Sequence, residues 1–236
     1  MMNSVARIQG MKWGLLGGVA LTLVACGGTP TPQASDQRTV QTVSGKVSGW
    51  TGQGRVTVPG LPGVSSSVDA DGSFVLTLPG DAEVAGQTVR ATDVAERLSC
   101  SGSVQSSDSE ARVFALLFLD TQDSAGTRQT SAVTGSVSGP LSRRVDVRVW
   151  VYSDSVTQLR GTVDCAKILS VPQISKLPVT VAVNARPGWN VVELNIEASA
   201  NVLTQVSASG SMVNSTAVNA QNTFRTIEEL QAQIAF

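Results

Sequence analysis

Val145-Asp146-Val147-Arg148-Val149-Trp150-Val151-Tyr152 alternates valine with a polar or aromatic residue over its whole length. Successive side chains of a strand point to opposite sides, so the four valines share one face and Asp146, Arg148, Trp150 and Tyr152 the other. That is the pattern of a half-buried β-strand. Val192, Leu194 and Ile196 alternate with Glu193, Asn195 and Glu197 in the same way, and Phe74, Leu76 and Leu78 with Val75 and Thr77. Val113–Leu119 (VFALLFL) is apolar on both faces, as a central strand covered on both sides would be. Further β-type runs fall at 43–48, 55–58, 87–92, 98–104, 131–138, 158–164, 179–184 and 201–208, punctuated by Gly, Pro, Ser, Asn and Asp. About 12 strands are too many for one Ig-type sandwich and suit two small ones. The expected fold is therefore all-β, with one sandwich over residues 43–127 and a second over 128–236.

Composition agrees. Among 236 residues there are 34 valines against four lysines and one tyrosine, which favours strands over helices. A 42% hydrophobic fraction with 15% charged residues and a formal net charge of -1 excludes a disordered chain. The absence of histidine removes the Ser-His-Asp triad, the Cys-His pair and the HExxH zinc site. A Ser-Lys dyad is excluded as well, because no serine stands three residues before any lysine.

The N-terminal region reads as an export signal. Arg7 and Lys12 supply positive charge, and Trp13–Ala25 is a run of mostly apolar and small residues, too short to span a bilayer, which needs ~20. Met11-Lys12 opens a complete signal by itself, so residues 1–10 are either an extended charged region or lie upstream of the true start. Leu23-Val24-Ala25-Cys26 resembles the lipobox of bacterial lipoproteins. The resemblance implies cleavage after residue 25, a diacylglycerol on the Cys26 thiol and attachment to the lipid bilayer. Gly27, in place of an aspartate, points by that family's sorting rule to the outer membrane; an ordinary secretory signal is the alternative. With Cys26 lipidated, Cys100 and Cys165 remain as an even pair in an oxidising compartment, either a disulfide or two buried thiols. Removing the signal takes away two of 17 basic residues and none of 18 acidic ones, leaving a net charge of -3. Such a chain has no basic surface for nucleic acid.

Cys26 and the polar stretch Gly27–Thr42, with Pro30 and Pro32, form a flexible tether (26–42). Beyond it, Val43–Gly49 (VSGKVSG) is echoed by Val133–Gly139 (VTGSVSG), as two similar first strands would be. Residues 43–50, 55–58 and 68–79, with their Asp69-x-x-Gly72-x-Phe74 hairpin, resemble the transthyretin-like domains called carboxypeptidase regulatory-like, most of which act as non-catalytic modules. Pro187-Gly188-Trp189-Asn190 is similar to a G-W-N turn of envelope lipoproteins.

Asp69-Ala70-Asp71-Gly72 opens like a calcium loop, but the fifth place is Ser73 and the twelfth Gly80, so a hairpin turn with glycine in the left-handed conformation is expected and no metal. Asn214-Ser215-Thr216 is a formal glycosylation sequon, expected in a loop. At 226–236, Thr226 and Glu229 form a capping box and Ile227, Leu230 and Ile234 an apolar face, which predicts a short docked helix; a closing strand of an outer-membrane barrel is the weaker reading, since the chain is only 4% aromatic.

Two function classes follow. One is a non-catalytic, membrane-tethered module that binds an envelope protein or glycan or has a structural role, without cofactor. The other is a carbohydrate-binding protein or carboxylate-only glycosidase, which needs two acids about 5 to 9.5 Å apart. Its acids would come from Asp146, Asp154, Asp164, Glu193 and Glu197, and its stacking rings from Trp50, Trp150, Tyr152 and Trp189.

Overall fold

The computed structural model describes residues 40–169, 174–201 and 205–235. The signal, Cys26 and most of the tether lie outside the described residues. The fold is all-β. The first strands are β1 (Thr42–Val47), β2 (Gly54–Val58), β3 (Leu61–Val68) and β4 (Ser73–Thr77), followed by helix α1 (Asp81–Val84), β5 (Val89–Arg90) and helix α2 (Val94–Arg97). Next come β6 (Ser101–Ser106), β7 (Arg112–Leu116), β8 (Leu119–Asp123), β9 (Gly126–Gly139), β10 (Ser142–Ser153) and β11 (Thr157–Asp164). Helix α3 (Ala166–Leu169), β12 (Pro178–Ala185), β13 (Gly188–Ala200), β14 (Val206–Asn214), β15 (Asn222–Arg225) and helix α4 (Ile227–Gln233) complete it.

One hydrogen-bonded ladder runs β3-β2-β8-β9-β10-β13-β14-β12-β11-β6. β7 pairs with β10 and with β5, and β15 lies between β1 and β9, parallel to the first and antiparallel to the second.

Valine alternation builds two cores on either side of a septum formed by β7, β10 and β13. Val145, Val147, Val149 and Val151 of β10 face the first core, with Val192, Leu194 and Ile196 of β13. Trp150 and Tyr152 face the second, with Trp189, Phe114, Leu116 and Phe224. The strand expected to be half-buried is therefore covered on both sides in its second half. Only Arg144, Asp146 and Arg148 keep a polar face, set against Glu197, Asn195 and Glu193 in register. Burying both faces of these strands is the dominant stabilising contribution, roughly 1.5–3 kcal/mol for each large apolar side chain.

The two cores are not divided at residue 127. β9 runs through that position, and the second core combines residues from Val40 to Phe224, within one compact unit. The reason is β15, which brings Phe224 into the N-terminal sheet. VFALLFL is also two strands, β7 and the start of β8, because the chain leaves β10 after Leu116 and joins β2 from Asp120. The β-run at 87–92 reduces to β5, since residues 91–97 turn helical, and β6 starts only at Ser101 because 98–100 close α2.

Asp69–Gly72 is a tight turn, with the Gly72 N–H donating to the Asp69 carbonyl at 2.9 Å and Gly72 at φ 88°. The Asp69 N–H also donates to the Ser73 carbonyl at 2.9 Å, so the reversal is closed as a hairpin turn with glycine in the left-handed conformation; beyond it the strands part, β3 pairing with β2 and β4 with β1. At the other end α4 forms as its capping box predicts. The Glu229 N–H donates to Thr226 Oγ1 at 3.2 Å and the Thr226 N–H to Glu229 Oε2 at 3.0 Å, while Leu230 is buried in the first core.

Candidate functional site

Cys100 and Cys165 are joined by a disulfide. Ser101 pairs with Asp164 in the β6–β11 ladder, so the bond extends that ladder by one position. Cys26 lies outside the described residues.

The rings proposed for sugar stacking are not on the surface. Trp150, Tyr152 and Trp189 are 2%, 5% and 5% exposed. Trp150 stacks on Phe224 with centroids 6.1 Å apart, and Trp189 meets Phe114 and Tyr152 edge-on at 6.0 and 5.7 Å. The Trp189 Nε1–H donates to the Pro79 carbonyl at 2.8 Å, satisfying its one polar atom inside the core. Burial, and then the Asp81 carboxylate, push the Tyr152 phenol up to about 12. These three residues hold the second core together and form no ligand platform. Trp50 is half-exposed, and its N–H donates to the Gly52 carbonyl at 3.0 Å.

The acids are brought together only in part. Asp146, Glu193 and Glu197 lie on the polar face of β10 and β13, each beside an arginine: Arg144 to Asp146 at 3.0 Å, Arg148 to Glu193 at 3.2 Å and Arg144 to Glu197 at 3.9 Å. Glu193 also accepts the Ser215 hydroxyl, and Arg148 donates to Asn222 Oδ1 at 3.1 Å, linking β10, β13 and β15. Asp154 stands elsewhere and accepts the Arg112 N–H at 2.9 Å. Asp164 accepts the N–H groups of Leu177 and Ala166 at 2.9 and 3.1 Å, which hold its carboxyl below the usual range. A glycosidase acid must be kept protonated near neutrality, and the two N–H donors on Asp164 favour the opposite state.

Asp71 spends its carboxylate on the Ser73 N–H at 3.0 Å, the Ser73 hydroxyl at 2.9 Å and Lys46 at 3.5 Å. Asn214 is not in a loop; it ends β14 and exchanges hydrogen bonds with the Asn184 main chain. The G-W-N segment lies inside β13, where Asn190 Oδ1 accepts the Arg186 N–H at 3.0 Å and so shapes the entry to the strand.

Two open hollows of about 620 and 450 Å³ lie at the far end of the β13–β14 hairpin, and Ser199 and Ser207 line both. Arg143 borders the second, where its guanidinium donates to the carbonyls of Gly139, Ser142, Ile234 and Ala235. A third groove, of about 160 Å³, lies where the chain passes from β7 to β8, between Arg97-Leu98-Ser99 and Phe114–Phe118. Sequence reading missed it, because Phe118 sits in a run that reads as wholly buried.

No protein-family model, curated protein or solved structure matches this chain.

Proposed function

We propose that this chain is a non-catalytic lipoprotein of a bacterial envelope: a β-rich binding or structural module held on the membrane through an acylated Cys26, with outer-membrane sorting following from Gly27. The disulfide between Cys100 and Cys165 carries the reading. It belongs to an oxidising compartment, and it leaves Cys26 as the one thiol outside the pair, at the position where Leu23-Val24-Ala25-Cys26 resembles a lipobox. Each buried methylene contributes ~0.8 kcal/mol, so two or more acyl chains hold a protein on a bilayer that one chain would leave. The non-catalytic reading is supported by the absence of histidine and by the arginine and backbone contacts of the candidate acids. The charge of the mature chain gives no reason to expect a nucleic-acid partner.

Metabolic labelling with a palmitate analogue tests the anchor. The wild type takes up label and sediments with membranes, and Cys26→Ser does neither. Label retained by Cys26→Ser removes the lipoprotein reading.

A further inference from the structure

The two ends of β13 differ in charge. Val40, where the chain enters the domain, donates its N–H to the Trp189 carbonyl at 3.1 Å, so the tether joins at the Gly188 end. The acids Asp81 and Asp154 stand there, close to the Tyr152 phenol. At the other end the Pro140-Leu141 turn between β9 and β10 lies against the β13–β14 hairpin, where the Ala200 N–H donates to the Leu141 carbonyl at 2.8 Å. No Asp, Glu, Lys or Arg occurs at 129–142 or at 198–224, the stretches that meet at this end. The first exposed charges on the sheet, Arg144 and Glu197, are paired with each other further in. What the tip exposes instead is apolar: Leu141 is 44% and Val137 60% accessible.

The backbone of the tip is prepared for leaving water. A two-residue turn ordinarily gives its carbonyls to solvent, but here the buried Arg143 guanidinium donates to the carbonyls of Gly139, Pro140 and Ser142 at 3.1, 3.5 and 3.0 Å. The Leu141 carbonyl is taken by Ala200, and Pro140 has no N–H to satisfy. Acceptors met inside the protein remove most of the cost of entering an apolar phase. Ser175 lines the adjoining hollow, and its neighbour Lys176 is exposed, a cation able to meet a lipid phosphate.

Cys26 and Val40 are 14 positions apart, a reach of at most ~50 Å, whereas the 13 residues of β13 span ~40 Å. A chain held at Cys26 can therefore set the far end of β13 on the same bilayer. Two apolar side chains are too little for a soluble partner, whose interface covers ~800 Å² on each side, but a tether keeps the local concentration high and lets a few contacts suffice.

We propose that the Pro140-Leu141 turn is a membrane-contacting tip, with Leu141 and Val137 in the boundary between headgroups and acyl chains and Lys176 at a lipid phosphate. The proposal rests on the reading that Cys26 is held in that bilayer.

The test uses the chain from Cys26 onward, which contains the whole compact unit Ala34–Phe236, with its disulfide intact. Its Cys26 thiol is coupled to maleimide-bearing lipid in phosphatidylcholine vesicles. The chain then sits on a bilayer whether or not a cell acylates it, so a failed palmitate label and a failed tip are told apart. Hydrogen–deuterium exchange at 138–142 slows by at least about threefold relative to the same chain with its thiol capped and no vesicles, while exchange at 154–156, by the tether end, is unchanged. Leu141→Asp, a change at an exposed turn position, loses the slowing, and Leu141→Ile keeps it. Unchanged exchange at 138–142 in the coupled chain would overturn the proposal, as would equal slowing in Leu141→Asp. Slowing that appears without vesicles as the protein concentration rises would overturn it too, since a second copy of the chain would then be the occupant.

Discussion

The ring of Phe224 lies directly on Gly45: a Cβ there would stand 2.7 Å from the ring and 2.5 Å from the Asn222 carbonyl oxygen. Gly135, the matching position in the echoed motif, faces α4, where a Cβ would meet Ile234 Cγ2 at 2.5 Å and Leu230 Cδ1 at 3.0 Å. The two glycines of V-x-G-x-V therefore admit consecutive parts of one C-terminal segment. Their substitutions should differ. Gly45→Ala meets backbone in a parallel ladder and should cost about 3 kcal/mol, whereas Gly135→Ala meets the ends of side chains that can give and should cost about 1 kcal/mol. Urea denaturation of both variants checks the order, and equal losses would contradict it.

Ser99 closes α2 in the left-handed conformation, φ 60°. The Cys100 N–H donates to the Ala95 carbonyl and the Ser99 N–H to that of Glu96, both at 2.9 Å, which is a Schellman motif with serine at the position glycine usually fills. Ser99→Gly should stabilise the protein by about 1 kcal/mol and Ser99→Val should destabilise it by at least as much. Thermal melts that rank the two variants the other way would refute this.

The disulfide closes a loop spanning 65 positions, for which the chain-entropy estimate is ~4 kcal/mol. Reduction should therefore lower the melting temperature by roughly 8 to 16 °C for a domain of this size. Non-reduced mass spectrometry should recover a Cys100–Cys165 cross-linked peptide; two free thiols in the native protein would sink the prediction.

Tyr152 is the one tyrosine, so tyrosinate absorbance reports it alone. Its folded pKa, raised from 10.0 to about 12, lies above the unfolded one. Below pH 10 both states carry the neutral phenol; between 10 and 12 the unfolded state loses its proton and the folded state keeps it. Stability then falls as pH rises through that window. Tyr152→Phe should remove this part of the alkaline loss, and an absorbance titration of the folded protein with a midpoint near 10 would show that the phenol is solvated.

What the sequence disclosed was what local order controls. The capping box of Thr226 and Glu229 involves positions three apart, and α4 begins where those letters say. The valine face of β10 was legible for the same reason. Burial of its other face was not, because Trp150 and Tyr152 are covered by Phe224, Phe114 and Trp189, which reach them through distant pairings. β3 was hidden by Pro62, Gly63 and three serines, features tolerated at the margin of a sheet, and β15 by having only four residues. The break after Leu116 carries no Gly or Pro at all. Of the candidate site, the cysteine pair could be counted, whereas the groove at Leu98 lies where the chain leaves β10 after Leu116 and crosses to β2, a step that no periodicity records.

Asn222 Nδ2 donates to the Ser44 carbonyl across 178 positions, and β15 is the strand inserted between β1 and β9. A ribosome delivers the chain from its N-terminus, so β1 waits for its parallel neighbour while nearly everything between them is made. Until Phe224 arrives, the second core lacks the ring against which Phe74 and Trp150 pack. The N-terminal sheet therefore closes only after one of the last strands has been made, so its completion is a late step of folding however early β1 emerges.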